Sequence, residues 1–205
     1  MKTTAKRGRP RKFDEDLTLD RIMQVFWKNG YSATSLDDIA EATGLNRPSI
    51  YAAFGGKKAM FLKVIERFAD QMEEHLRKAG QQVSGLKPRL KAIMSAAIDL
   101  YTGRTEISAA PFGCLAISTL PPVAATDQEF QAVLQQVNRR MDLGFADLIR
   151  GETKGALPET QVTNTAQHLS LVLHGLSVRA RSGEEADSLR ELAKDAVEKL
   201  VPDIA

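Results

Sequence analysis

Arg7-Gly8-Arg9-Pro10 sets two guanidiniums on a stretch where Gly permits close backbone approach and Pro keeps the chain extended. That pattern can enter the narrow, negative minor groove of an A·T tract. Lys2, Lys6, Arg11 and Lys12 surround it, and no acid precedes Asp14. A solubilising tail, or a polycation making diffuse phosphate contacts, would use the same residues. Further along, Asn46, Arg47 and Ser49 stand at the start of a short helical pattern, polar where the helix end could face base edges in a major groove. Gly55-Gly56-Lys57-Lys58 follows, leaving backbone amides and two ammonium groups at another helix start, which suits a phosphate.

Other reactive residue types lack the company they need. Cys114 follows Pro111-Phe112-Gly113, where a helix N-terminus could lower its pKa and make a thiolate; a buried, inert thiol is the alternative. As the only cysteine, it has no partner in the chain to resolve a sulfenate. His75, His168 and His174 are the only histidines, and the last two are six apart, so they share no helix face. No carboxylate or thiol completes a metal site with them. No nucleophile–base pair, glycine-rich phosphate loop or paired-carboxylate motif falls on a coherent element, and Asp99 and Glu106 are singletons. The expectation is a non-enzyme with neither metal nor cofactor.

The elements that must position these groups read as helices throughout. The chain has 205 residues, 43% apolar and 26% charged, which suits a folded protein with a real core. The net charge of +2 is unevenly spread, because acids outnumber bases after Met60. Residues 1–12 read as a basic flexible arm. Leu17, Ile22, Val25 and Phe26 form an apolar stripe that Asn29-Gly30 stops. Ser35 with Asp38 resembles a capping box for a helix turning Leu36, Ile39 and Ala40 inward, and Gly44 ends it. Asn46 is a good N-cap for a third helix carrying Ile50, Tyr51 and Phe54. Longer helices are expected over about 58–78, 88–103, 128–150, 162–181 and 184–200, with a short one over 112–120 broken at Pro121-Pro122. The fold class is all-α: a compact three-helix unit over 13–58, then a helical body over 59–205. No apolar run approaches the ~18 residues a membrane helix needs, and one cysteine fits a reducing cytosol.

Ala40 and Gly44 have the spacing of a helix-turn-helix: a small residue where two helices cross, then one tolerant of positive φ at the turn. An ordinary αα-corner can share that spacing. The fuller strings, Thr34-Ser35-Leu36-Asp37-Asp38-Ile39-Ala40-Glu41-Ala42-Thr43-Gly44-Leu45 and Ser49-Ile50-Tyr51-Ala52-Ala53-Phe54-Gly55-Gly56-Lys57-Lys58, resemble the DNA-binding domain of the TetR/AcrR family of regulators. The resemblance covers about residues 14–62. It implies that Thr34 and Ser35 offer hydroxyls or amides to phosphate, that Tyr51 and Lys57 clamp the backbone opposite, and that Arg47, Pro48 and Ser49 face bases. Arg47 could reach guanine O6 and N7, while Pro48 and Ala52 could touch a thymine methyl. Asp37 departs from the family pattern and is read as cap support, with cytosine N4 as the alternative partner. Ala53 removes one contact.

The resemblance also implies a homodimer through the last two helices, on faces carrying Ala166, Leu169, Val172, Leu173, Leu176 and Ala180, then Leu189, Leu192, Ala193, Ala196, Val197 and Leu200, although two such faces could simply pack on the chain's own core. It makes the central helices a sensor for an apolar or amphipathic small molecule. Met94, Ile98, Tyr101, Phe112, Cys114, Phe130, Val137, Met141 and His174 are the expected lining, although the same stripe would serve a solid core. The expected protein is a cytoplasmic transcriptional repressor that binds double-stranded DNA and is released from a palindromic operator by its effector. The rival from another class is an architectural binder of A·T-rich DNA without an effector.

Overall fold

Asp14 opens the first helix, α1 (Glu15–Ala33), by accepting from the Leu17 amide at 3.0 Å, with Glu15 and Asp16 complementing the positive helix end. The structure, a computed structural model, describes residues 13–108 and 110–203; the arm with Arg7 and Arg9 lies outside them. Gly30 leaves the helical path at φ 76°, so the expected stop is a kink, followed by one more turn to Ala33. The buried face of α1 carries Thr18, Ile22, Met23, Phe26 and Trp27. Leu17, read as part of the apolar stripe, is 51% exposed, because that face passes through Thr18 instead.

The next two helices form as their caps dictate. Ser35 and Asp38 make a reciprocal capping box at the start of α2 (Leu36–Thr43), and Gly44 closes it at φ 70°, its N–H donating to Ala40 O at 2.9 Å. The Asn46 side chain accepts from the Ser49 amide at 2.9 Å to begin α3 (Arg47–Phe54). Ile22, Phe26, Ile39, Ile50 and Phe54 are buried in this head.

Helix α4 (Lys57–Gln81) begins in the head, where it packs on α1, and continues into the body against α5 (Leu86–Tyr101). Met60, Phe61, Val64, Ile65, Phe68, Met72 and Leu76 repeat at three- and four-residue steps along its buried face. The helix expected from Phe112 starts only at Leu115, since Gly113 sits at φ 69°; it is short α6 (Leu115–Thr119). Pro121-Pro122 opens one further turn, α7 (Pro121–Ala124), because proline is tolerated at a helix start. Then come α8 (Gln128–Thr153), α9 (Glu159–Arg181) and α10 (Ala186–Leu200), with α8 packed on α9, and α10 against α5 and α9. The described residues contain ten helices and no strand.

The apolar faces expected to meet a partner divide differently. Ala166, Leu169, Leu173, Leu176 and Ala180 on α9, and Leu189, Ala193 and Val197 on α10, are buried within the chain, filling its own core. Leu171 and Val178 of α9 and Leu192 of α10 are the large hydrophobic residues these helices leave exposed.

Candidate nucleic-acid interface

Ile50 and Phe54 anchor α3 inward, which turns its remaining side chains out. Asn46, Arg47, Pro48, Tyr51 and Ala52 are exposed and Ser49 half-buried, so the residues read as DNA-facing share one outer surface at the start of this helix. The Asn46 carbonyl oxygen is spent on the cap, and its side-chain amide is not part of that bond.

Arg47 has a partner that sequence reasoning did not assign. Its Nε donates to Asp37 Oδ1 at 2.8 Å and its Nη2 to the same oxygen, joining the start of α3 to the start of α2. From its spacing Asp37 is expected to support the cap of α2. The hydrogen-bonded cap is made between Ser35 and Asp38, which accepts from the Ser35 amide at 2.7 Å and its hydroxyl at 2.8 Å, so Asp37 supports the helix start through its charge alone. Asp37 holds Arg47's guanidinium in its charged form, raising its pKa.

The expected phosphate ligands are more constrained than their spacing suggested. Thr34 is buried, and its hydroxyl donates inward to Gly30 O at 2.7 Å, so that hydroxyl does not face outward. Ser35 has both amide and hydroxyl engaged by Asp38. Lys57 Nζ lies over the Tyr31 ring, 4.7 Å from its centroid, and donates to Ser32 O at 3.1 Å; burial pushes its pKa down, with Asp38 opposing. Lys58, paired with Lys57 in the sequence reading, is turned away. Its Nζ sits 2.7 Å from Asp127 and 2.8 Å from Glu129, tying the start of α4 to the start of α8.

The segment after α5 joins head to body. Trp27 Nε1 donates to Gly113 O at 3.2 Å, Gln24 Nε2 to Ile107 O at 2.9 Å, and the Arg181 guanidinium to Trp27 O at 3.3 Å and Phe112 O at 2.9 Å. Gly113 N in turn donates to Tyr101 O at 3.1 Å, and Cys114 N to Ser177 Oγ at 2.7 Å.

Behind that segment lies a cavity of about 560 Å³. Phe68, Met72 and Leu76 of α4, Ile93 and Tyr101 of α5, Val137, Met141, Phe145 and Leu148 of α8, and His174 of α9 line it, with Cys114 and Ile117. Of the expected lining, Tyr101, Cys114, Val137, Met141 and His174 are there. Met94 and Ile98 are instead sealed in the core between helices. Phe130 packs edge-on against Tyr31 and Phe61, and Phe112 lies under Arg181. Exposed Glu73, Arg77 and Asp147 place charge at the mouth. Burial lowers the pKa of His174, against the pull of Asp142, so that side chain is neutral at neutral pH, while half-buried Arg89 and Arg140 also line the cavity.

Burial likewise decides Cys114. It pushes the thiol up to about 11, outweighing the backbone amides of Ile117 and Ala116, so the helix start makes no thiolate. His75 Nε2 bonds Ala96 O at 3.1 Å and His168 is exposed; no metal-binding cluster occurs among the described residues.

A capped helix pair with a left-handed glycine turn, a polar outward-facing second helix and a helical body define a helix-turn-helix DNA-binding protein. Residues 19–64 match the family model described as "Bacterial regulatory proteins, tetR family". The chain is 30% identical over 190 residues to the HTH-type transcriptional repressor ComR of Escherichia coli K12, covering 91% of this chain and 89% of that one. It is 24% identical to the HTH-type transcriptional repressor BdcR of the same strain, over 94% and 92% of the two chains. A solved structure of the TetR family regulator CifR, a cysteine mutant complexed with 26-base-pair operator DNA, superposes with a TM-score of 0.80 at 26% identity, covering 93% and 98%. The chain belongs to the TetR family of bacterial transcriptional regulators.

Proposed function

We propose that this chain is a repressor that binds a palindromic operator as a homodimer and is released by an apolar or amphipathic small molecule. Its relatives ComR and BdcR are named repressors, and CifR is seen on operator DNA. Arg47, Pro48, Ser49 and Ala52 face bases, with Asn46 beside them. Tyr51, Lys57 and the amides of Leu36 and Asp37 at the start of α2, beside Thr34 and the Ser35 whose own amide Asp38 holds, receive phosphates. Arg7 and Arg9 enter the minor groove.

The dimer uses the outward stripe of α9. Asn164, His168, Leu171, Gly175 and Val178 are exposed at alternating steps of four and three, with Leu192 of α10 also exposed. A Cβ on Gly175 would meet nothing within 4 Å, so no packing within the chain requires glycine there. A partner helix approaching closely would.

One observation carries the ligand response: the cavity wall and the reading head share Gly113. Tyr101 and Cys114 line the cavity, Gly113 is bonded to Tyr101 O, and Trp27 of the head is bonded to Gly113 O. A molecule that displaces this wall moves α1, and with it the spacing of two heads that must match grooves about 34 Å apart. Tyr101, buried in the cavity wall, and neutral His174 give an otherwise apolar ligand a polar anchor. A small-molecule library screened by thermal shift, followed by operator titration with each hit, tests this. Hits should both raise the melting temperature and weaken operator binding. Operator affinity unmoved by every stabilising compound, with broad A·T-rich binding, would favour the architectural reading.

A further inference from the structure

We propose that Asp37 determines specificity through Arg47: its carboxylate grips the guanidinium by the Nε edge and turns the terminal edge toward a guanine of the operator. The inference rests on the reading of Arg47 as base-facing. Nε and Nη2 both donate to Asp37 Oδ1, so the acid occupies one edge of the fork. Nη1 and the remaining Nη2 hydrogen have no partner among the described residues. They form the pair of parallel donors that matches guanine O6 and N7.

Three features of the pair favour this role. The side chains are 56% and 71% exposed on the surface where α3 begins, so the bond contributes little to the free fold. An acid on a face that meets polyanionic DNA weakens association unless it does something there. Asp37 is also free of the capping work, which Ser35 and Asp38 complete between them. An acid in the first turn favours the start of α2 through the helix dipole, but that effect needs no partner on α3. Docking on DNA excludes water from the pair, which strengthens its attraction and holds Arg47 in one rotamer, reducing the ordering that base recognition must impose.

The test is a base-pair substitution scan of the operator, bound by the full-length wild type and by Arg47→Ala, Asp37→Ala and Asp37→Asn. Arg47→Ala should lose discrimination at one G·C pair in each half-site, by about tenfold or more. Asp37→Ala should lose most of that discrimination at the same pair and no other, while binding random duplex as tightly as wild type or more tightly. Asp37→Asn, which keeps the shape and one acceptor, should fall between, and it carries the test if the alanine variant fails to fold. Full discrimination by both Asp37 variants, beside its loss in Arg47→Ala, would overturn the proposal and leave Arg47's role standing. An Arg47→Ala protein that reads every position like wild type would overturn both.

Discussion

The indole Nε1 of Trp27 donates to the carbonyl oxygen of Gly113 at 3.2 Å, a buried bond between the helix that carries the reading head and the wall of the body's cavity. Trp27 is fully buried and meets Phe68 edge-on at 4.9 Å between centroids, so its Nε1 can make no bond to water in compensation. Replacing Trp27 by Phe should destabilise the protein by about 1–3 kcal/mol, because a buried carbonyl loses its partner. Denaturant unfolding measures this, and a midpoint equal to wild type would show the bond to be dispensable.

Lys57 and Lys58 are adjacent in sequence but turned to different partners. Lys57 lies against the head through Tyr31 and Ser32, whereas Lys58 is held by Asp127 and Glu129 of the body. Lys57→Ala should therefore reduce the slope of log K against log salt by about 0.9, the loss of one phosphate contact, and Lys58→Ala should leave it unchanged. Anisotropy titrations from low to moderate salt give both slopes; equal losses would contradict the placement of Lys58.

Leu171 stands in the middle of the exposed α9 stripe at 64% exposure. Leu171→Asp puts a charge where the proposed dimer buries an apolar side chain, at no cost to the monomer core. Sedimentation equilibrium should show a folded monomer at micromolar concentration, with operator affinity reduced at least about tenfold by loss of the second head. A variant that remains dimeric would move the interface elsewhere.

Cys114 is 4% exposed, its pKa pushed up to about 11 by burial. At pH 8 it should be almost wholly thiol, and it should react with a disulfide reagent only as fast as the chain opens. Labelling of the native protein on the minutes scale of an exposed thiol would contradict this.

The helix-turn-helix is legible in sequence because its determinants are local. Ser35 with Asp38, Gly44 and Asn46 act within a few residues of where they stand, and each cap forms as its spacing indicates. The groups that sequence misplaces are settled by contacts that no cap motif encodes. Asp37 meets Arg47 across the turn, Lys58 meets α8 from far along the chain, and Thr34 is turned inward at the kink Gly30 makes. On α9, apolar periodicity shows that a face is buried without showing whether the chain itself or a partner buries it. For the same reason Met94, Ile98 and Phe130 read as readily for a cavity as Met141 does, although only Met141 reaches it.

Selection of bound fragments from random duplex DNA by the full-length protein tests the central claim, a dimer reading a two-fold operator, most directly. The enriched sequences should align to one palindrome with a G·C pair repeated symmetrically in its half-sites and A·T-rich positions where the arms reach. A single unrepeated half-site, or enrichment of A·T-rich DNA without symmetry, would contradict it.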